Sequence, residues 1–274
     1  YRWGNPQNYD RGNNSNHILG DQHSINWIPE GYPGEGNFIL FNKLPKKSWI
    51  KVGQASPNYG LMLDDHTSFI KSGNKNSLDE DMPALDRGFR DLFDPMANKP
   101  LIIEGGINLF KNLYMTVSLF QPLSEGYHED LSSFSGSISY INSFGNTSFM
   151  LGSSILEEDE ISLMGVFGGV SFKNITMMFE ADLAENLFDT IETSFASYGQ
   201  LIYKPIQGLH LIAKYDYFDH NYDFASGSIT RYSYGFEIYP LNMLEIKLQT
   251  RDYKIDGIDL ELDNEYLIQV HTWF

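Results

Sequence analysis

From Leu101 onward the chain breaks into segments of roughly ten residues in which apolar and polar positions alternate. Leu244, Ile246, Leu248 and Thr250 are interleaved with Glu245, Lys247, Gln249 and Arg251. Thr230, Tyr232, Tyr234, Phe236 and Ile238 are interleaved with Arg231, Ser233, Gly235 and Glu237. The stretches 209–218 and 175–185 repeat the pattern, whereas 161–172 and 192–203 carry Gly and small residues on both faces. A strand presents successive side chains to opposite faces, so each segment has an oily side and a wetter side. The pattern predicts strands at 101–109, 113–120, 132–142, 147–156, 161–172, 175–185, 192–203, 209–218, 228–239, 243–253 and 264–274. Three more are expected at 17–28, 37–43 and 48–54.

The connections between these segments alternate in length. Short ones fall at 44–47, 110–112, 143–146, 173–174, 204–208 and 240–242. Long ones fall at 29–36, 55–100, 121–131, 157–160, 186–191, 219–227 and 254–263. The set 157–160 is the shortest of these, and its four acidic residues argue that it stays in water. Transmembrane barrels keep short periplasmic turns and long extracellular loops, and bacterial single-chain examples have an even number of strands. The expected architecture is therefore all-β: a single closed antiparallel transmembrane β-barrel of about 14 strands. Residues 17–274 would form it, with 1–16 as a periplasmic tail or part of a further strand.

The last segment, Asn264 to Phe274, puts Tyr266, Ile268, Val270, Thr272 and Phe274 on one face. It stops on an aromatic residue, and so resembles the C-terminal strand of bacterial outer-membrane β-barrels. That resemblance implies an outer-membrane location, lipid around the wall and Phe274 as the signal read by the barrel-assembly machinery.

Composition changes the picture in a few places. No run of about 18 apolar residues occurs, so no transmembrane helix is expected. The mean hydropathy is −0.32, which suits a barrel whose strands turn half their side chains to a polar interior. Aromatics make up 15%, with 17 Tyr and 19 Phe, as interfacial girdles require. The formal net charge is −17, which argues against a nucleic-acid partner. Cys is absent, excluding disulfides, thiolate catalysis and covalently attached c-type haem. Residue 1 is Tyr and no signal peptide is visible, so the chain reads as mature or N-terminally trimmed.

The connection 55–100 is far longer than the usual loop of about 4–6 residues, and loops of that length usually carry function. Ser77 to Leu85 resembles a capped helix start, and Leu85, Phe89, Leu92 and Phe93 continue at helical spacing. The segment is expected either as a lid on the barrel mouth or as a constriction folded inward.

With the oily faces toward lipid, the interior would be lined by Glu104, Glu180, Asp182, Lys214, Asp216, Arg231, Glu237, Glu245, Lys247 and Arg251. A turn at Pro240-Leu241-Asn242 would pair Tyr239 with Met243, Arg231 with Arg251 and Glu237 with Glu245. Such like-charge pairs need water or counter-charges. The long loop offers Asp64, Asp65, His66, Asp86 and Asp91. This resembles general porins, in which an acidic inserted loop faces a basic wall. The resemblance implies passive diffusion of small hydrophilic solutes or ions, narrowed by 55–100.

Gly53 to Thr67 is also similar to porin-like barrels that sheath multihaem cytochromes, implying a structural barrel for an envelope complex. No haem motif is present here, so no cofactor is expected on this chain. Self-association or an envelope partner fits either reading. A hydrolase reading rests on His66-Thr67-Ser68 and Asp65-His66; the residues around them lack the rest of either pattern, so catalysis is not expected. Asp64, Asp65 and His66 read as a solvated loop and not as a metal site.

Overall fold

The structure, a computed structural model, describes residues 23–27, 38–44, 48–61, 68–71, 100–123, 130–187, 193–241, 244–257 and 264–272. The strands are β1 (His23–Trp27), β2 (Phe38–Leu44), β3 (Ser48–Gln54), β4 (Leu101–Phe110), β5 (Leu113–Phe120), β6 (Ser133–Phe144) and β7 (Thr147–Glu158). They continue as β8 (Ile161–Phe172), β9 (Ile175–Glu185), β10 (Thr193–Ile206), β11 (Leu209–Asp219), β12 (Ile229–Leu241), β13 (Leu244–Ile255) and β14 (Glu265–Thr272). Each pairs with its neighbours in the chain, so the sheet order is the sequence order from β1 to β14. Every pairing is antiparallel, as hairpin connections demand. Among the described residues, β1 pairs with β2 and β14 with β13, and the two outer strands are not paired to each other.

Several strands outrun their expected ends. β10 continues through Pro205 to Ile206, and β12 through Pro240 to Leu241. Both extensions carry a break in register, between Tyr203 and Ile206 and between Ile238 and Leu241. Proline lacks the N–H of a ladder bond, so the pairing skips it and resumes beyond. This corrects the expected β12–β13 register by two residues. Glu237 faces Lys247, Arg231 faces Tyr253 and Arg251 faces Ser233. An even shift keeps the same side chains inward, but it removes both like-charge pairs. The turn 157–160 shrinks to Asp159 and Glu160, and Asp159 adopts a φ of 50°. Glu158 is buried, against the expectation for that acidic run.

The two faces of the sheet differ sharply. One carries Leu151, Ile155, Met164, Val166, Met177, Leu201, Leu211 and Tyr232, all well exposed. So wide an apolar surface would be an association liability in water and is satisfied in hydrocarbon. Among the described residues no helix is long and apolar enough to cross a membrane, which says nothing of crossing by strands.

The inner face is layered along the strand direction. At the long-loop end, Ile102, Phe120, Leu156, Leu163, Ala184, Ala196, Phe218 and Ile229 form a buried apolar cluster. The next level inward is charged, with Glu104, Glu180, Asp182, Asp216, Arg231 and Arg251 all 2% exposed or less. On β6, Ser133 and Ser135 are buried, and Ser137 and Ser139 continue the same face. Small side chains on this stretch of wall leave room for something to lie against it.

Candidate functional site

What lies there is the chain that follows β3. The N–H of Ala55 donates to the carbonyl of Pro100 at 3.2 Å, which brings the two ends of the long connection together. The described parts of the connection, 55–61 and 68–71, run inward as a strap. Its Tyr59, Leu61, Phe69 and Ile70 are 4% exposed or less.

The strap is fixed mainly by its own backbone amides. Asn58 N donates to Glu104 Oε2 at 3.1 Å, and its side-chain amide donates to Thr116 Oγ1 at 3.1 Å. Gly60 N donates to Ser154 Oγ at 3.0 Å and Leu61 N to Glu180 Oε2 at 2.7 Å. Tyr59 OH donates to Asp182 Oδ1 at 3.1 Å. Further along, Phe69 N donates to Asp216 Oδ1 at 3.1 Å. These partners lie on β4, β5, β7, β9 and β11, so the strap follows the wall around the inside. Amide donors to carboxylates are charge-assisted and stronger than neutral pairs.

Local sequence makes the path feasible. Gly60 takes a φ of 60°, a left-handed conformation that side chains disfavour. On β8, a Cβ at Gly165 would come within 2.0 Å of Asp182 Oδ1 and 3.0 Å of Tyr59 OH. Glycine there opens the seat for the tyrosine. The loop after β5 is held similarly, with Leu123 N donating to Glu158 Oε1 at 2.8 Å.

Several of the buried charges have a charged partner. Glu104 also accepts from Ser118 Oγ at 2.7 Å and pairs with Lys51 Nζ at 2.6 Å. Asp216 pairs with Arg231 through Nε at 3.2 Å and Nη2 at 3.0 Å. The Arg231 guanidinium lies 4.4 Å from the Phe69 ring centre. Arg251 pairs with Glu265 at 3.4 Å, and Tyr253 OH donates to that carboxylate at 2.5 Å.

Toward the short-turn end the inner face opens. Lys247 meets Glu237 at 2.8 Å, and Glu245 meets His271 Nδ1 at 2.8 Å. Tyr239 OH reaches both carboxylates at 3.2 Å. The His271 side chain is 44% exposed, against 2% for Arg251 three inward positions deeper.

All ten side chains expected inside lie on this inner face. Four of them serve a purpose the sequence did not announce: Glu104, Glu180, Asp182 and Asp216 grip a strap. In the described part of the connection, wall carboxylates receive loop amides. Among the described loop residues, Phe69 lies over Arg231. Asp64, Asp65, His66, Asp86 and Asp91 fall outside the described residues, as do Phe274 and the expected helix after Ser77. Lys51, Ser118, Ser154, Glu158, Tyr253 and Glu265 were missed, although their inward parity was readable in the sequence.

No family model matches the chain, and no curated protein matches it. Solved structures do. OprB of Pseudomonas putida aligns with a TM-score of 0.59 at 9% identity, over 86% of this chain and 72% of that one. OmpT of Vibrio cholerae, an outer membrane protein in trimer form, gives 0.54 at 13% identity, over 86% and 80%. An anion-selective porin from Comamonas acidovorans gives 0.52 at 10% identity, over 86% and 76%. The fold is that of a porin-like outer-membrane barrel. A fold of this kind turns its oily face to lipid, as the exposed apolar side of this sheet requires. At these identities the likeness speaks for the fold alone.

Proposed function

We propose that the sheet closes through β1 and β14 into a 14-stranded barrel and passes small hydrophilic solutes or ions by passive diffusion. The strap sets the bore. The observation that carries this reading is the bonding of residues 58–61 and Phe69 to the inner wall from β4 round to β11. A segment held along one side narrows a lumen. The inner side chains of β12–β14 then line what is left, where exposure rises toward His271. The net charge of −17 favours cations at the mouths. Self-association, as in the trimer form of OmpT, belongs to the same proposal. Catalysis does not.

A second reading has its own observation. The apolar cluster of Ile102, Phe120, Leu156, Leu163, Phe218 and Ile229 packs with Phe69 and Ile70 at the long-loop end. A lumen filled there would suit a structural barrel that scaffolds an envelope complex.

Reconstitution separates the two. A channel shows discrete conductance steps in a planar bilayer and admits small sugars to liposomes. A scaffold stays silent in both and co-purifies with a partner at fixed stoichiometry.

A further inference from the structure

The two ends of the molecule differ in charge, the long-loop end being mainly acidic with Lys254 an exposed cation among its acids. Among the described residues, the long-loop end exposes Asp130, Glu157, Asp159, Glu160, Glu185, Asp223 and Asp256. The described short connections, with the strand residue on each side of them, contain no Asp or Glu. They contain Lys111 and Lys173, and Lys204 lies two residues from the end of β10. All three lysines are exposed.

A second ring lies just inside the first. Phe110 is 73% exposed, Phe144 66%, Ile206 65%, Leu241 62% and Phe172 47%. These end residues of β4, β6, β8, β10 and β12 mark where the oily belt stops. The rim is also braced. Lys173 N donates to the Asn146 carbonyl at 3.3 Å, and Lys204 N donates to the Asn174 carbonyl at 2.8 Å. Neighbouring turns are thereby tied edge to edge, and the two lysines stand one turn apart. The Lys173 ammonium lies 5.2 Å from the Phe172 ring centre, turned back along the wall toward the belt.

We propose that this rim docks the anionic phospholipids of the leaflet it meets, with Lys111, Lys173 and Lys204 on their headgroup phosphates. Apolar side chains at the hydrocarbon boundary fix the depth, and lysine stems reach from there to the phosphate level. Cations held at that level favour anionic over zwitterionic headgroups, and salt weakens the preference. The continuity of the lysines with the oily belt points to lipid and away from a soluble anion. The inference does not depend on whether the lumen conducts.

The test uses the folded chain in detergent, with phosphatidylglycerol or phosphatidylcholine added at equal mole fraction. The readout is the midpoint of heat unfolding, followed by the gel mobility shift. Phosphatidylglycerol is expected to raise the midpoint several degrees above phosphatidylcholine, and added salt to shrink the gap. Free glycerol phosphate is expected to leave it unmoved. The triple variant Lys111→Gln/Lys173→Gln/Lys204→Gln should lose most of the gap, and the triple Arg variant should keep it. Should the triple Gln variant fail to fold, the single variants are each expected to lose part of it. Equal midpoints in the two lipids would overturn the proposal. So would a full gap in the Gln variants, or an equal response to free glycerol phosphate.

Discussion

Arg231 and Phe69 meet on the inner face of β12, guanidinium to ring at 4.4 Å, while the N–H of Phe69 and the guanidinium of Arg231 share one carboxylate, Asp216. One buried residue thus joins strap, acid and base. Removing one partner of a buried ion pair leaves an uncompensated charge, at a cost of about 3–5 kcal/mol. Arg231→Met is expected to lose about that much stability, read from urea unfolding in lipid vesicles. The double variant Arg231→Met/Asp216→Leu should recover a large part of it. Equal stability of Arg231→Met and wild type would show that the triad holds nothing.

Glu180 accepts the N–H of Leu61 at 2.7 Å. Glu180→Gln keeps the shape and removes the charge, a loss of about 1 kcal/mol for one charge-assisted bond. The strap is expected to loosen there, and proteolysis at 62–67 to speed up several-fold in detergent. A cleavage rate matching wild type would show that this bond does not hold the strap.

Gly165→Ala would push a methyl group into Asp182 and the Tyr59 hydroxyl. Overpacking of this kind costs about 1–3 kcal/mol. The tyrosine is expected to leave its seat, giving a shift in its fluorescence with the strands intact by far-UV circular dichroism. An unshifted spectrum would place the Tyr59 hydroxyl elsewhere.

The lipid side and the lumen side can be told apart by one charge. Val166 points outward at the middle of β8 and is 53% exposed, whereas Ser137 points inward on β6. Val166→Arg is expected to cost about 2–4 kcal/mol in vesicles. Ser137→Arg should cost clearly less. The reverse order would turn the sheet inside out.

The sequence was readable where one physical rule acted alone. Period-two alternation located most of the strands from β4 to β13, because a wall between oil and water enforces it, although β8 and β10 blur it with Gly and small residues on both faces. It lost the ends of β10 and β12, because Pro205 and Pro240 look like turn residues while the ladder steps over them through an irregular register. From that error came the false pairs Arg231–Arg251 and Glu237–Glu245. Inward parity marked Glu104, Glu180, Asp182 and Asp216, but their task was hidden. Glu104, Glu180 and Asp216 each bind a backbone N–H, and Asp182 a tyrosine hydroxyl, from a segment more than 40 residues away, and backbone donors leave no trace in residue identity. Gly165 was likewise illegible, since its reason is a tyrosine 106 positions upstream, and Glu158 read as solvated because its partner is the main chain of Leu123.

The central claim is that a strap on the inner wall narrows a conducting lumen. Single-channel conductance in a planar bilayer tests it most directly, comparing wild type with a chain in which 56–99 is replaced by a short Gly-Ser linker. Discrete steps for wild type and several-fold larger steps for the shortened chain are the predicted result. Silence from wild type, or equal steps from both chains once each is shown to be folded by its heat-dependent mobility, would contradict it.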